Sequence, residues 1–477
     1  MEARLDEKRR GRRNRGRPRR PGGPGREAPT RTRLLALRVL ERVQRAGAYA
    51  DVMLNAHLAR SALPAPDRAF ATDLVNGTLR WRGQLDFLIA RVLDRDLDKL
   101  EPLVANALRL GAYQIVRCER VPDTAAVDQT VRCIRAAGAE RATGLVNAVL
   151  RRLATEHPDI APPSLENDPL GHLTHALSLP GWLASRWLSV FGPEETAALA
   201  RASNEVPPLT VRANRLRTSA PELLVELRER FPDAALCRYA ENGLVLGRRG
   251  NPAIDPAFLG GRFTVQDEAS QLVVALLDPH PGERILETCA APGGKMTAIG
   301  ERLGADGQAV ALDRHARRLD LVRRHVRRLG IGCVLCTERD AARPLSDLAE
   351  PRPFDRVLVD APCSGLGALR RNPDARWRVS PADPLRLAEV QLAILRNAAA
   401  VLRPGGVLVY STCTLLREEN EDVVEAFLES EPQFLLSSAP EAPAAVRPLI
   451  GDDGLLRCFP HLHDTDGFFA ARLVRHP

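Results

Sequence analysis

Over residues 31–157, apolar positions return at the roughly 3.6-residue period of an amphipathic helix. Leu34, Leu35, Leu37, Val39 and Leu40 open the first such segment, and the period resumes over 71–79, 85–92, 103–116 and 125–134. Strand-type alternation is absent here, and Asp67, Asp123 and Gly138 mark helix ends. Residues 31–157 are therefore predicted to be all helical. The stretch from His157-Pro158-Asp159 to Pro162-Pro163-Ser164 reads as a linker.

Between 158 and 275 the pattern is mixed. A helical pair is predicted over 182–191 and 194–202, then a strand over 209–212 and a helix over 220–231. Strand signals follow at 243–246 and 263–265, completing a small α+β unit. From 276 to 477 strands and helices alternate. Strands are predicted at 284–288, 309–312, 334–336, 356–359 and 407–411, and helices at 295–303, 316–329 and 385–402. Such alternation implies βαβ units, a parallel sheet and a Rossmann-like α/β domain. No internal repeat is evident.

At 477 residues the chain accommodates about three domains. It is 44% hydrophobic and 27% charged, as expected of a globular protein. No apolar run approaches the roughly 18–20 residues of a membrane span. The Arg-rich start lacks the apolar core of a secretory signal. Nine scattered cysteines, an odd number, predict reduced thiols and a cytoplasmic protein. The net charge is +8, but residues 1–30 hold ten Arg and one Lys against four acids, a net of +7, leaving +1 for the rest. This Gly- and Pro-rich tail buries too little surface to offset its ordering entropy and is predicted to be disordered. As a solvated polycation it suits phosphate backbones without reading sequence.

The first predicted strand of the α/β region runs into Glu287-Thr288-Cys289-Ala290-Ala291-Pro292-Gly293-Gly294-Lys295. Strand, small-residue turn and helix let a ligand approach backbone N–H groups at a helix N-terminus. A P-loop ending in Gly294-Lys295 needs Gly at 289 and Ser or Thr at 296, where this chain has Cys289 and Met296. Nor is there a G-x-G-x-x-G pattern. Asp313 ends the second strand, Asp340 follows the third and Asp360 follows the fourth. Carboxylates in register with strand ends favour a ligand carrying a ribose and a base, and S-adenosylmethionine fits that site.

The fourth strand continues Asp360-Ala361-Pro362-Cys363-Ser364-Gly365, and the fifth ends Val409-Tyr410-Ser411-Thr412-Cys413-Thr414. In a parallel sheet both ends lie on the ligand edge, so Cys363, Cys413 and Asp360 are predicted to converge beside the methyl donor. That set suits methylation at C5 of a pyrimidine. C5 becomes nucleophilic only after a thiolate adds to C6, and a proton must later leave C5 as the thiol is eliminated. A carboxyl group at N3 assists the addition. Spacing does not choose which cysteine attacks. Cys118, Cys133, Cys333 and Cys336 are read as packing residues, and no metal site is predicted.

CAAPGGK (289–295), DAPCSG (360–365) and the TCT of 412–414 resemble motifs of the RNA cytosine-C5 methyltransferases of the NOL/NOP/Sun superfamily. FTVQDEASQ (263–271) and DGFF (466–469) match the same family. The helical region, with DRAFATDLVNGTLRWRGQLD (67–86) and GLVNAVLRR (144–152), is similar to the NusB-like domain of its bacterial Sun/RsmB branch, which modifies 16S ribosomal RNA. The resemblance covers about 31 to 475, leaving only the basic tail (1–30) outside, and implies three parts: a NusB-like RNA-binding domain (31–157), linker helices with a small α+β RNA-binding domain (158–275) and a class I methyltransferase domain (276–477).

The resemblance further implies that Cys413 is the nucleophile, that Cys363 assists breakdown of the covalent intermediate, and that Asp360 meets the cytosine. Cys289, Ala290, Ala291, Pro292, Gly293, Gly294 and Lys295 would hold the amino-acid end of S-adenosylmethionine, with Asp313 on the ribose and Asp340 near the adenine. Lys295 would orient Asp360 or the pyrimidine. The chain departs from the family pattern at Glu287, Met296, Thr414 and Arg417, where Asp, Thr, Ser and Pro are usual. A monomer acting on 16S rRNA is expected. The same chemistry on tRNA, or a non-catalytic RNA-binding or ribosome-assembly role, stays open. Arg212, Asn214 and Arg215 are candidate RNA contacts.

Overall fold

The computed structural model describes residues 28–248 and 250–476, so the predicted disordered tail falls almost wholly outside the described residues. Seven α-helices come first: α1 (Ala28–Ala46), α2 (Ala50–Ala59), α3 (Ala65–Arg80), α4 (Arg82–Val92), α5 (Pro102–Arg117), α6 (Asp123–Ala136) and α7 (Thr143–Glu156). Proline sets two of the starts, Pro102 in the first turn of α5 and Pro122 as the residue before α6, where a missing N–H costs no helical bond. The apolar stripes close on one core that includes Leu37, Leu74, Leu85, Leu108 and Leu150. α5 is its axis. A Cβ on Gly77 would sit 2.0 Å from the Tyr113 ring, and one on Gly111 would sit 2.4 Å from Leu150, so these glycines permit the close crossings of α3 and α7 with α5.

The helical pair read at 182–202 is present: the span Gly181–Ser203 is two helices, divided where Gly192 takes φ 75° ahead of Pro193. A four-stranded antiparallel sheet follows, ordered β2-β3-β1-β4, from β1 (Thr210–Ala213), β2 (Ala235–Leu236), β3 (Gly243–Val245) and β4 (Phe263–Val265). The helix Ala220–Arg228 packs against this sheet and starts from a capping box between Ser219 and Glu222.

The remaining strands are β5 (Arg284–Glu287), β6 (Gln308–Asp313), β7 (Val334–Glu338), β8 (Phe354–Asp360), β9 (Leu402–Thr412), β10 (Phe434–Leu436), β11 (Leu456–Cys458) and β12 (Phe468–Arg475). They form one sheet in the order β10-β12-β9-β8-β5-β6-β7, with β11 also on β12. The five strands β5 to β9 are mutually parallel, as expected. The sheet as a whole is not. β12 lies antiparallel to β9, and β10 and β11 lie antiparallel to β12, which corrects the wholly parallel prediction. Residues 468–475 form an apolar run buried against β9, so the sheet extends on that side without a crossover helix.

Strand order reverses between β5 and β8, the point where a doubly wound sheet opens a ligand crevice at its carboxyl edge. The stretch after β8 then runs to the helical domain. Trp377 Nε1 donates to Leu79 O at 2.6 Å and Arg80 Nη2 to Arg370 O at 2.8 Å. Buried Arg376 donates to the Arg80 and Ser178 carbonyls and to Asn204 Oδ1. Among the described residues no helix is long and apolar enough to cross a membrane.

Candidate active site

Register brings the two thiols together. Asp360, the last residue of β8, pairs with Ser411 of β9, so the loops beyond leave the sheet side by side. Cys363 Sγ and Cys413 Sγ lie 3.3 Å apart, too far for the roughly 2.05 Å of a disulfide, and both are free. The Cys413 N–H donates to Cys363 Sγ at 3.3 Å. The hydrogen bond with Cys413, and then burial, push the Cys363 thiol well above its ordinary pKa.

Asp360 is gripped from two sides. Lys295 Nζ donates to Oδ2 at 2.8 Å, and Ser411 Oγ donates to Oδ1 at 3.0 Å. Lys295 is buried, with its ammonium 5.0 Å from the centre of the Phe468 ring. Burial disfavours that charge, but Asp360, with help from Glu287 and Cys413, outweighs it and holds the amine above its ordinary pKa. A fixed cation thus serves the carboxylate and the Cys413 side of the site together.

The Cys363 loop is held by a residue that sequence reasoning did not single out. Glu419 is fully buried; its Oε1 accepts from Ser364 N at 2.8 Å and from Gln391 Nε2 at 3.0 Å, and its Oε2 accepts from Ser364 Oγ at 2.5 Å. Gln391 Nε2 also donates to Pro362 O at 2.9 Å, and Tyr410 Oη to Glu419 O at 2.5 Å. Asn420 ties the other loop, accepting from Thr412 Oγ1 and donating to Thr414 O. Burial raises the Glu419 pKa. The available signal was Gln391, an amide on an Ala- and Leu-rich helix, together with the acids just beyond TCT.

The loop 289–295 crosses the β5 end, with Lys295 at the start of the helix Gly294–Leu303. Thr288 N donates to Leu358 O and Ala290 N to Leu312 O, stitching the loop to β8 and β6. Gly293 sits at φ 107°, and a Cβ there would lie 3.1 Å from Val322 Cα, so the tight turn demands glycine. Burial pushes the Cys289 thiol up to about 12, which keeps it neutral. Asp313 is buried at the end of β6, bonded to His315 N at 2.9 Å. Arg318 bridges Asp313, at 3.3 Å, and Ala291 O, at 3.1 Å. Asp340 lies beyond β7 and accepts from Ala342 N within its own turn. Lys295, Asp360, Cys363 and Cys413 thus form one cluster, while Asp313 and Asp340 flank the loop at neighbouring strand ends.

The loop suits a polar cofactor. Glu287 Oε2 and Thr288 Oγ1, buried at its base, have no hydrogen-bond partner, and buried polar atoms are rarely left so without a ligand or water to come. Burial first, then the Asp360 charge, raise the Glu287 carboxyl well above its ordinary range. A sulfonium cofactor with a polar amino-acid end and a ribose matches this set of groups.

Two of the three polar candidates at β1, Arg212 within it and Asn214 just beyond it, are corrected. Arg212 is buried and donates to Gly294 O at 2.8 Å and to Glu301 at 2.7 Å. Asn214 is buried and donates to Gly261 O and Leu329 O. Both brace the small sheet on the catalytic domain, and only Arg215 of the three is exposed. Among the described residues no group of three or more His, Cys, Asp or Glu gathers to hold a metal.

The sequence profile of 16S rRNA methyltransferase RsmB/F matches residues 274–474. Residues 30–155 match the NusB family, and 179–251 match the RsmF/B-like ferredoxin-like domain. The probable ribosomal RNA small subunit methyltransferase B of Bacillus subtilis is 36% identical over 92% of this chain and 98% of its own. Its namesake in Synechocystis is 37% identical over 93% and 99%. The chain belongs to the RsmB/F family of 16S rRNA methyltransferases. The crystal structure of PH0851 superposes with a TM-score of 0.76, at 26% identity, over 92% of this chain and 98% of that one. Membership of the RsmB/F family makes the chain an S-adenosylmethionine-dependent rRNA methyltransferase, with NusB-like, ferredoxin-like and methyltransferase parts.

Proposed function

We propose that this enzyme methylates C5 of a cytosine in 16S ribosomal RNA through a covalent bond between Cys413 and C6. The observation that carries the reading is the pair of thiols 3.3 Å apart, beside a carboxylate already bonded to a buried ammonium. Methylation at nitrogen or at a ribose oxygen needs no thiol. Methylation at C5 needs one thiol to enter at C6 and a base to free C5 afterwards.

S-adenosylmethionine supplies the electrophilic methyl group. The backbone from Cys289 to Gly294 would hold its amino-acid end, with Asp313 on the ribose and Asp340 toward the adenine. The Cys413 thiolate adds to C6, and the electron pair displaced from the C5–C6 double bond makes C5 nucleophilic. Asp360, steered by Lys295 and Ser411, accepts from N3–H once N3 has taken up a proton from solvent, and so favours that addition. C5 takes up the methyl carbon as that carbon's bond to the sulfonium sulfur breaks, and the electron pair stays on sulfur, which leaves as the neutral thioether S-adenosylhomocysteine. Cys363 gives up its own proton to solvent and, as the thiolate, takes the C5 proton; the electron pair of the C5–H bond re-forms C5=C6, and Cys413 leaves as thiolate. Lys295, whose ammonium senses Cys413, supports the thiolate both before attack and on departure.

The target cytosine must be unpaired or extruded to reach thiols half-buried between two strand ends. Nucleoside mass spectrometry and bisulfite mapping of 16S transcripts incubated with the enzyme test the assignment. 5-Methylcytidine at one position is expected. Methylation at N4 or on ribose, or a product confined to tRNA, overturns it.

A further inference from the structure

The helix Ala316–Leu329 carries a concentration of charge that the catalytic site does not use. Residues 314–328 hold seven arginines against one aspartate, a net of +6 in a chain whose residues 31–477 together carry only +1. The helix buries Leu319, Val322 and Leu329, keeps Leu321, His325, Val326 and Arg328 half-buried and turns its other residues outward. Some arginines have local work. Arg318 pairs with Asp313, Arg323 with Asp320, and Arg328 donates to Phe258 O and Phe263 O of the small domain.

Three do not. Arg317, Arg324 and Arg327 are exposed, and among the described residues none of their side chains has a hydrogen bond or a carboxylate partner. At about 100° per residue they fall within about 80° of one another around the axis and span about 15 Å along it. One end of this stripe meets the cofactor loop through Arg318 and Ala291 O. At the other, exposed Arg217 of the small domain lies against the helix C-terminus; a Cβ on Gly330 would sit 2.8 Å from Arg217 Nη2.

We propose that Arg317, Arg324 and Arg327 form a docking stripe for the phosphate backbone of the substrate RNA, leading the strand along the seam between the small domain and the cofactor loop. Uncompensated guanidinium groups in a row repel one another unless an anionic polymer spreads over them, and arginine matches phosphate oxygens through paired N–H donors. The stripe reads no bases. It adds affinity and direction, while the pocket at Cys413 selects the cytosine. This inference rests on the RNA methyltransferase reading of the site.

The test uses the full chain and an in vitro transcribed 16S rRNA. The triple variant R317Q/R324Q/R327Q is expected to lower the slope of log affinity against log salt by roughly 2–3, at about 0.7–0.9 per phosphate contact. KM for the transcript should rise with kcat and S-adenosylmethionine affinity unchanged, the latter showing an intact fold. The corresponding triple lysine variant should restore most of the slope. A glutamine variant with wild-type slope and KM, while the wild type methylates the transcript, overturns the stripe and leaves the catalytic reading standing. A wild type that transfers methyl groups to no RNA overturns both.

Discussion

The N–H of Cys413 points at the sulfur of Cys363, and not the reverse. This small asymmetry orders the two thiols. Cys363 is the more deeply held, sits on a loop clamped by Glu419, and is pushed toward its protonated form. Cys413 stands on the side where the Lys295 charge is felt. A group that must leave as an anion gains from the cation, and one that must take up and release a proton gains from a high proton affinity.

Asp360→Asn should separate catalysis from binding. The amide keeps the shape but loses the charge that holds Lys295 and the carboxyl that meets N3. The kcat is expected to fall by about 10²–10⁴, the usual scale for losing a positioned acid or base. Affinity for S-adenosylmethionine, measured by calorimetry, should change far less. Equal losses in both would make Asp360 a cofactor ligand first.

Glu419→Ala should damage the fold and the chemistry together. It strands the Ser364 N–H in a buried site, at about 1–3 kcal/mol for a group left without a partner, and leaves the Gln391 amide with Pro362 O as its remaining acceptor. Thermal melting should record that loss. Glu419→Gln, which keeps one acceptor, should recover much of the stability but not the full kcat, because the loop carrying Cys363 loses one of its two anchors.

How much of this was legible before any coordinates? The five parallel strands were, because short apolar runs bounded by turn residues announce buried strands, and their order put Asp360, Cys363 and Cys413 on one edge. β12 was not, since its residues 468–475 pair with a strand distant in sequence and were read only as the end of a motif. Glu419 was missed for a related reason: it meets Ser364 across 55 residues. Arg212 misled because an arginine beside a strand looks the same in sequence whether it faces solvent or a buried glutamate such as Glu301.

The buried Glu287 carboxyl predicts a pH dependence. Its native pKa is raised, so the native state holds a proton that the unfolded chain, with a glutamate pKa of about 4.3, releases. The stability this group contributes is therefore complete below about pH 4 and drains as pH climbs toward the native pKa, by up to about 1.4 kcal/mol per unit. Glu287→Gln cannot ionise. Its melting temperature relative to wild type should rise as pH climbs above the ordinary glutamate range, and a constant difference would mean that the native carboxyl is already ionised.

The division of labour between the thiols is tested most directly by trapping. Enzyme, S-adenosylmethionine and end-labelled 16S transcript are mixed, denatured and run on a gel. The Cys363→Ala variant should accumulate a slowly migrating protein–RNA species, because addition proceeds and release stalls. The Cys413→Ala variant should show neither that species nor methyl transfer. An adduct that builds up in Cys413→Ala, or normal turnover by that variant, would contradict the assignment of Cys413 as the nucleophile.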